Sequence, residues 1–189
     1  TTGEGGMLLT NNKSIDKISR EYHDHGHENN SKYNRGNDTK KIYGFNYRMT
    51  EMQGAIGKVQ LSKLKWIIRQ NRVRFKILSD KLNKKYNLRK IPKKSIPNFD
   101  TFILFEKNFK IRRKIINVLK KNSLGTKNLP DAIKWHCSYY WSHAISKQEV
   151  RNSLKTKKIL KSAIAVPILI KKRASLYSKI AKEIFNIKS

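Results

Sequence analysis

Residues 44–57, Gly-Phe-Asn-Tyr-Arg-Met-Thr-Glu-Met-Gln-Gly-Ala-Ile-Gly, constrain this chain more than any other stretch. An aromatic-rich loop, residues 45–49, carries one amide, Asn46, and one guanidinium, Arg48. It runs directly into a helix start. Thr50 is a good N-cap, and Gln53 three residues on completes a capping box. The helix then opens with Gly54, Ala55 and Gly57. Glycine inside a helix costs about 1 kcal/mol against alanine, so two of them in one turn point to something packed very close. One reading is a plain helix–helix contact. The other is a loop that presents Asn46 and Arg48 to an anion, held rigid by the capped helix behind it. An amide donor and a planar guanidinium suit phosphate and carboxylate oxygens.

Composition narrows the setting. The 189 residues are 38% hydrophobic, enough to build a core, which argues against disorder throughout. The longest apolar run, residues 163–170, is strand-sized, far short of a membrane span. A single cysteine, Cys137, permits no intrachain disulfide and fits a reducing compartment, so a cytoplasmic location is expected. The net charge of +30 would attract polyanions. Its lysines, however, are spread along nearly every segment beside many isoleucines and asparagines, as codon bias in an AT-rich genome produces. A basic helical nucleic-acid-binding protein is therefore the rival reading. It leaves the glycine segments and the capped Asn/Arg loop unexplained, and no specific nucleic acid is expected as a partner.

Along the chain, residues 7–10 read as a short buried strand, and Ser14 as the cap of a helix through about Tyr22. Residues 36–38 read as a turn. Leu61, Leu64, Ile68, Asn71, Phe75, Leu78 and Leu82 alternate at spacings of three and four, one face of a long helix. Lys63, Lys65, Arg69, Arg72 and Lys76 form its solvated face. Pro92 and Pro97 bracket a linker, which sets an expected division into residues 1–90 and 91–189. Beyond it come a strand at 101–105, an amphipathic helix at 110–121 and an irregular aromatic stretch at 135–143. A helix near 153–161, a strand at 163–170 and a last helix at 174–185 follow. Pro167 makes that strand an edge or a bulge. The second part is a small α+β unit.

Three local groupings invite chemistry and do not sustain it. His23, Asp24, His25, His27 and Glu28 lack metal-ligand spacing and a cysteine partner, and fit imidazoles at a helix C-terminus better. No metal site is expected. Cys137 between His136 and His143 has no marked oxyanion hole and reads as a partly buried thiol in an aromatic cluster. Gly3, Gly5 and Gly6 match no phosphate-binding loop.

Taken together, Thr-Thr-Gly-Glu-Gly-Gly at 1–6, Asp-His-Gly at 24–26 and the 44–57 segment resemble, in order and spacing, the DegT/DnrJ/EryC1/StrS aminotransferases. These are pyridoxal-phosphate sugar aminotransferases with the aspartate-aminotransferase fold. The resemblance is strong to about Leu64 and looser beyond. It implies an α/β chain: residues 1–90 as the end of the large cofactor-binding domain with dimer-side helices, and 91–189 as the small C-terminal domain of a fold type I transferase. It implies no catalytic residue here, because the family's aldimine lysine lies a few residues before the position of Thr1. The chain, which opens inside a glycine-rich turn, is thus expected to be the C-terminal portion of an enzyme and inactive alone.

By position, Asn46 matches the asparagine that reaches the cofactor phosphate of the other subunit of a homodimer. Arg48 matches the arginine beside that phosphate or the donor's carboxylate. His136 lies in a Trp-His segment near the active-site entrance and is a tentative substrate residue. The implied reaction moves an amino group from glutamate or glutamine to a keto sugar for surface polysaccharide. The branch resembles transaminases of 8-amino-3,8-dideoxy-manno-octulosonate, or perosamine synthases. A non-catalytic remnant that only dimerises is the remaining alternative.

Overall fold

Buried apolar side chains decide where this chain is densely folded. In the computed structural model, which describes residues 2–188, every one of them lies at or beyond Leu78. The chain divides into two units, Thr1–Leu64 and Lys65–Ser189.

The second unit is built on a three-stranded antiparallel sheet in the order β1 (Asn87–Leu88), β2 (Thr101–Phe105), β3 (Ala163–Pro167). Side chains alternate across a strand, and β2 follows that rule. Phe102 and Leu104 are fully buried on one face, while Ile103 and Phe105 sit on the other. The first face packs on α3 (Leu64–Leu82), α4 (Phe109–Lys121) and α8 (Ala174–Phe185) through Leu78, Leu82, Ile115, Leu119, Ile180 and Ile184. Asn108 caps α4 by accepting from the amides of Lys110 and Ile111. The second face is covered by Leu129, Ile133 and Leu160. Leu129 precedes α5 (Ile133–His136), which carries Ile133; after α6 (Lys147–Asn152), α7 (Leu154–Ser162) carries Leu160. The outer edge of β3 is not left open: Lys127 N donates to Ala165 O (2.9 Å) and Ala165 N to Leu129 O (3.0 Å). Pro167 closes this edge strand, where its missing donor does no harm.

The division between units differs from the expected one at 90/91. Asn87 and Leu88, on the N-terminal side of the expected division, are a strand of the second unit's sheet. The helix before them is tied to the same unit. Asn71, the one polar residue on its apolar face, donates to Asn98 O (3.0 Å). Arg74, buried, donates to Lys172 O and Ile170 O (both 3.0 Å). The helix also does not run unbroken from the capped start. A first helix ends at Ser62, and Leu61 on the periodic face is exposed.

The first unit contains α1 (Lys13–His23), a 3-10 turn (Arg35–Asn37) and α2 (Glu51–Ser62). Asn12, not Ser14, caps α1, accepting from the amides of Ser14 and Ile15. Residues 7–10 are not a buried strand. Met7 and Leu9 are 78% and 86% exposed, and no strand among the described residues pairs with them, so their backbone has no ladder to join.

Tyr177 shows how tightly the second unit is closed. Its buried hydroxyl accepts from Leu169 N (2.8 Å) and donates to Pro167 O (3.2 Å), joining α8 to the end of β3. Tyr177→Phe should lower stability by about 1–3 kcal/mol, because a buried carbonyl and a half-buried amide lose their partner. Urea denaturation of the two proteins measures this, and an unchanged midpoint would mean the hydroxyl contributes nothing.

Candidate functional site

The loop that carries Asn46 and Arg48 is clamped to the end of α1 by its backbone. Phe45 N donates to Tyr22 O (2.8 Å), Tyr47 N to His23 O (2.9 Å), and His25 N to Phe45 O (3.1 Å). This close approach needs two glycines. A Cβ on Gly44 would lie 2.4 Å from Gly26 N and 2.6 Å from Tyr22 O. A Cβ on Gly26 would lie 2.0 Å from the Ile42 carbonyl oxygen, and Gly26 has a φ of +81°, in the left-handed region. The rings of Tyr22, Phe45 and Tyr47 close over the junction with centroids 5.7 to 6.1 Å apart.

Behind the loop the capping box forms as the spacing predicts. Thr50 Oγ1 accepts from Gln53 N (3.3 Å), and Gln53 Oε1 from Thr50 N (3.0 Å). The close contact expected at the helix glycines is not there. Among the described residues nothing comes within 4 Å of a Cβ on Gly54, and only Thr2 approaches one on Gly57. The glycines that close approach demands are Gly26 and Gly44.

Asn46 and Arg48 are brought together as expected, both at the surface. Asn46 Oδ1 accepts from Arg48 N (3.4 Å), which leaves the amide NH₂ of Asn46 as a donor. Arg48 is not a free cation. Its Nη1 donates to Oδ1 of Asp24, and Arg35 Nη2 donates to the same oxygen at 2.7 Å. Asp24 is only 5% exposed. The bond from Arg35, and then that from Arg48, hold its carboxyl well below the usual carboxylate range, against burial, which works the other way. Two guanidiniums share this one carboxylate beside the Asn46 amide, with most of the N–H donors of Arg48 still unengaged. This donor set fits an oxyanion such as a phosphate. Asp24, Gly26 and Gly44 fall in the Asp-His-Gly and Gly-Phe-Asn-Tyr-Arg-Met segments that carry the resemblance, but their part in the clamp was not read from them, and nothing in the sequence marked Arg35.

The remaining candidates lie elsewhere. The His23 ring donates through Nδ1 to Arg20 O (2.6 Å), an imidazole at a helix C-terminus, while His27 Nδ1 lies 3.3 Å from Asp38 Oδ2. Cys137 is fully buried, against only partial burial expected. His136 is exposed and belongs to the second unit, where it lines a cleft with Arg89, Lys127 and Asp100.

The profile of the DegT/DnrJ/EryC1/StrS aminotransferase family matches residues 1–184. The chain belongs to that family. Its members are aminotransferases dependent on pyridoxal phosphate. GDP-perosamine synthase of Caulobacter vibrioides is 42% identical over 64 residues, 34% of this chain and 16% of that protein. Among solved structures, the aminotransferase TlmJ from Streptoalloteichus hindustanus superposes with a TM-score of 0.72 at 16% identity, covering 97% of this chain and 47% of that one. Helicobacter pylori PseC, an aminotransferase of pseudoaminic acid biosynthesis, does so with a TM-score of 0.68 at 16% identity, covering 97% and 48%. The fold is thus that of fold type I transferases, and the chain spans about half the length of these structures.

Two outcomes test the clamp. Gly44→Ala should break it, since the added carbon meets backbone on both sides. Loss of hydrogen-exchange protection at the Phe45 and Tyr47 amides measures this, and unchanged protection would show that the loop is held otherwise. The second concerns pH. A carboxyl whose folded pKa is depressed contributes its full stability above its unfolded value, near pH 4, and loses it only as the pH falls from there through the folded value. The guanidinium resonances of Arg35 and Arg48 should therefore keep their positions from pH 7 down to about 4. In Asp24→Asn they should already be averaged at pH 7. Identical spectra for the two proteins would exclude the role given to Asp24.

Proposed function

We propose that this chain is the C-terminal portion of a pyridoxal-phosphate-dependent sugar aminotransferase that works as a homodimer in the cytoplasm. The reaction transfers the amino group of glutamate or glutamine to a keto sugar used for surface polysaccharide. The observation that carries this reading is the clamped loop with its fixed pair of oxyanion donors, Asn46 and Arg48. In this reading both face the phosphate of the cofactor held by the partner subunit, and Arg48 also lies beside the carboxylate of the amino donor. His136 contributes to the sugar site. Pyridoxal phosphate, when bound, supplies the electron sink.

The residues of this chain bind and orient. The Asn46 amide gives a neutral donor and Arg48 a charged one. The bond to Asp24 fixes the guanidinium, so little side-chain freedom is lost on binding. Two further features support a larger assembly. The match covers less than half of the related solved chains. In addition, none of the apolar side chains of residues 2–64 is buried within the chain, and those of Met7, Leu9, Phe45, Tyr47 and Met52 are exposed. Apolar surface on this scale marks a contact face. The lysine that carries the cofactor is supplied, in this proposal, by sequence preceding Thr1, and the chain alone does not transaminate. The sugar is an 8-carbon keto acid of the octulosonate type or a nucleotide-linked hexose of the perosamine type.

In the intact enzyme, Asn46→Ala and Arg48→Ala should each weaken cofactor binding roughly ten- to a hundredfold, the loss of one hydrogen bond to a charged group. Equilibrium dialysis against pyridoxal phosphate measures it without any turnover. Variants that keep both cofactor affinity and donor KM would remove these two roles.

A further inference from the structure

Two arginines of the second unit are drawn in from the surface without an acid beside them, and they differ in one respect. Arg74 has every guanidinium nitrogen on an oxygen: Nε on Lys172 O, Nη1 on Gln70 O and Nη2 on Ile170 O. Arg112, half-buried in α4, does not. Its Nη2 donates to Ala163 O (3.2 Å) at the start of β3. Its Nε is shut off from solvent and has no partner among the described residues. No ion pair among those residues includes Arg112 or Arg113. Burial alone acts on the titration of Arg112, lowering it, and no carboxylate works the other way. A charge withdrawn from water is costly unless it is paired. Arg112 is short of an anion.

The same side chain lines a cavity of about 280 Å³ with Phe109, Arg113, Ile116 and Pro130. Residues 109, 112, 113 and 116 share one face of α4, being spaced by three and four. Pro130 comes from outside the helix. It is fixed to the edge of β3, because the preceding Leu129 O accepts from Ala165 N (3.0 Å). Phe109, Ile116 and Pro130 make the walls apolar, and Phe109 is left 72% exposed. No acid lines the cavity. Glu106, the acid that precedes α4, is occupied as acceptor from Asn108 N (2.7 Å). Charge alone would single out nothing on a chain with 43 basic residues. Here a guanidinium without its acid stands beside apolar walls.

These features select among anions. A planar guanidinium matches the two oxygens of a carboxylate. Apolar walls suit a hydrocarbon body. They offer nothing to the hydroxyls of a sugar or to the further oxygens of a phosphate. The ammonium of an amino acid would find no acid to pair with. We propose that this cavity binds a small carboxylate with a compact apolar body, aryl or branched-chain, its charge on Arg112 and Arg113 and its body against Phe109, Ile116 and Pro130. The site lies wholly in the second unit and does not depend on the aminotransferase reading.

The 189-residue chain is titrated with benzoate, acetate, benzyl alcohol and inorganic phosphate at neutral pH and constant ionic strength. Backbone amide shifts at Arg113, Ile116 and Asp131 are followed. Benzoate should saturate them. It should also raise the urea midpoint, since a ligand that binds only the folded chain stabilises it. Acetate has the charge without the body, and benzyl alcohol the body without the charge. Each should bind at least about tenfold more weakly. Arg112→Met keeps an apolar stem in place and should weaken benzoate about tenfold or more, the loss of a hydrogen bond to a charged group. Phe109→Ala, at an exposed position, should weaken it severalfold with the fold intact. Lys120→Ala, an exposed lysine elsewhere on α4, should leave it unchanged. Acetate or phosphate binding as tightly as benzoate would overturn the proposal, because general attraction to a basic surface produces that. So would benzoate binding that survives both Arg112→Met and Phe109→Ala undiminished.

Discussion

Asp24 is the carboxylate on which the first unit depends. That unit buries no apolar side chain; the side chains it buries are Glu21 and Asp24. Its order must come from polar and backbone contacts, and they converge on this residue. Asp24 pairs through its backbone with Asn46 and through its side chain with Arg35 and Arg48. Burying a carboxylate is costly unless it is paired and hydrogen-bonded. Two guanidiniums answer that cost and are themselves held in place. Neither arginine would stay beside the other without the acid between them.

The second unit is held by a different force. Its sheet, α3, α4 and α8 share one continuous apolar core, and polar side chains only finish the closure. Arg74 covers the carbonyls of Ile170 and Lys172 just beyond β3, and Tyr177 covers the end of that strand. A body closed in this way can carry a cleft with donors fixed to its framework. The first unit, with its apolar side chains turned outward, has a fixed loop and no core.

What could be read in the sequence was what depends on neighbours in the chain. The Thr50–Gln53 capping box needs only four residues, and the periodicities of 101–105, 110–121 and 174–185 need only their own element, so each appears where expected. The clasp was hidden because its partners are far apart: Arg48 is 24 residues from Asp24, and Gly26 meets Ile42 and Gly44. Asp24 read as one of several acids among histidines, since nothing local distinguishes a carboxylate that takes two arginines from one that would take a metal. The compact units divide the chain at a different place from the expected one for the same reason. Pro92 and Pro97 look like a linker, but Asn71 and Arg74 bind backbone at positions 98, 170 and 172, and carry their helix into the second unit. Residues 7–10 are apolar enough for a buried strand, yet a strand needs a neighbour, which periodicity does not reveal.

The high charge takes on a different meaning beside these clusters. With 43 basic residues against 13 acidic ones, cations alone locate nothing, since nearly any surface of this chain is basic. Position is set by the scarce acids. Asp24 gathers Arg35 and Arg48; Asp100 gathers Lys127 and stands near Arg89. At Asp24 one carboxylate holds two guanidiniums, and at Asp100 one carboxylate holds a lysine. A solvated lysine offers an anion the same charge, but binding must then order a long side chain, at about 0.5–1.5 kcal/mol each. A guanidinium already held by an acid has lost that freedom on folding. On a uniformly basic protein the scarce acidic residues therefore decide which surface cations are ordered, and Arg48, held by Asp24, is one that has lost its freedom before any anion binds.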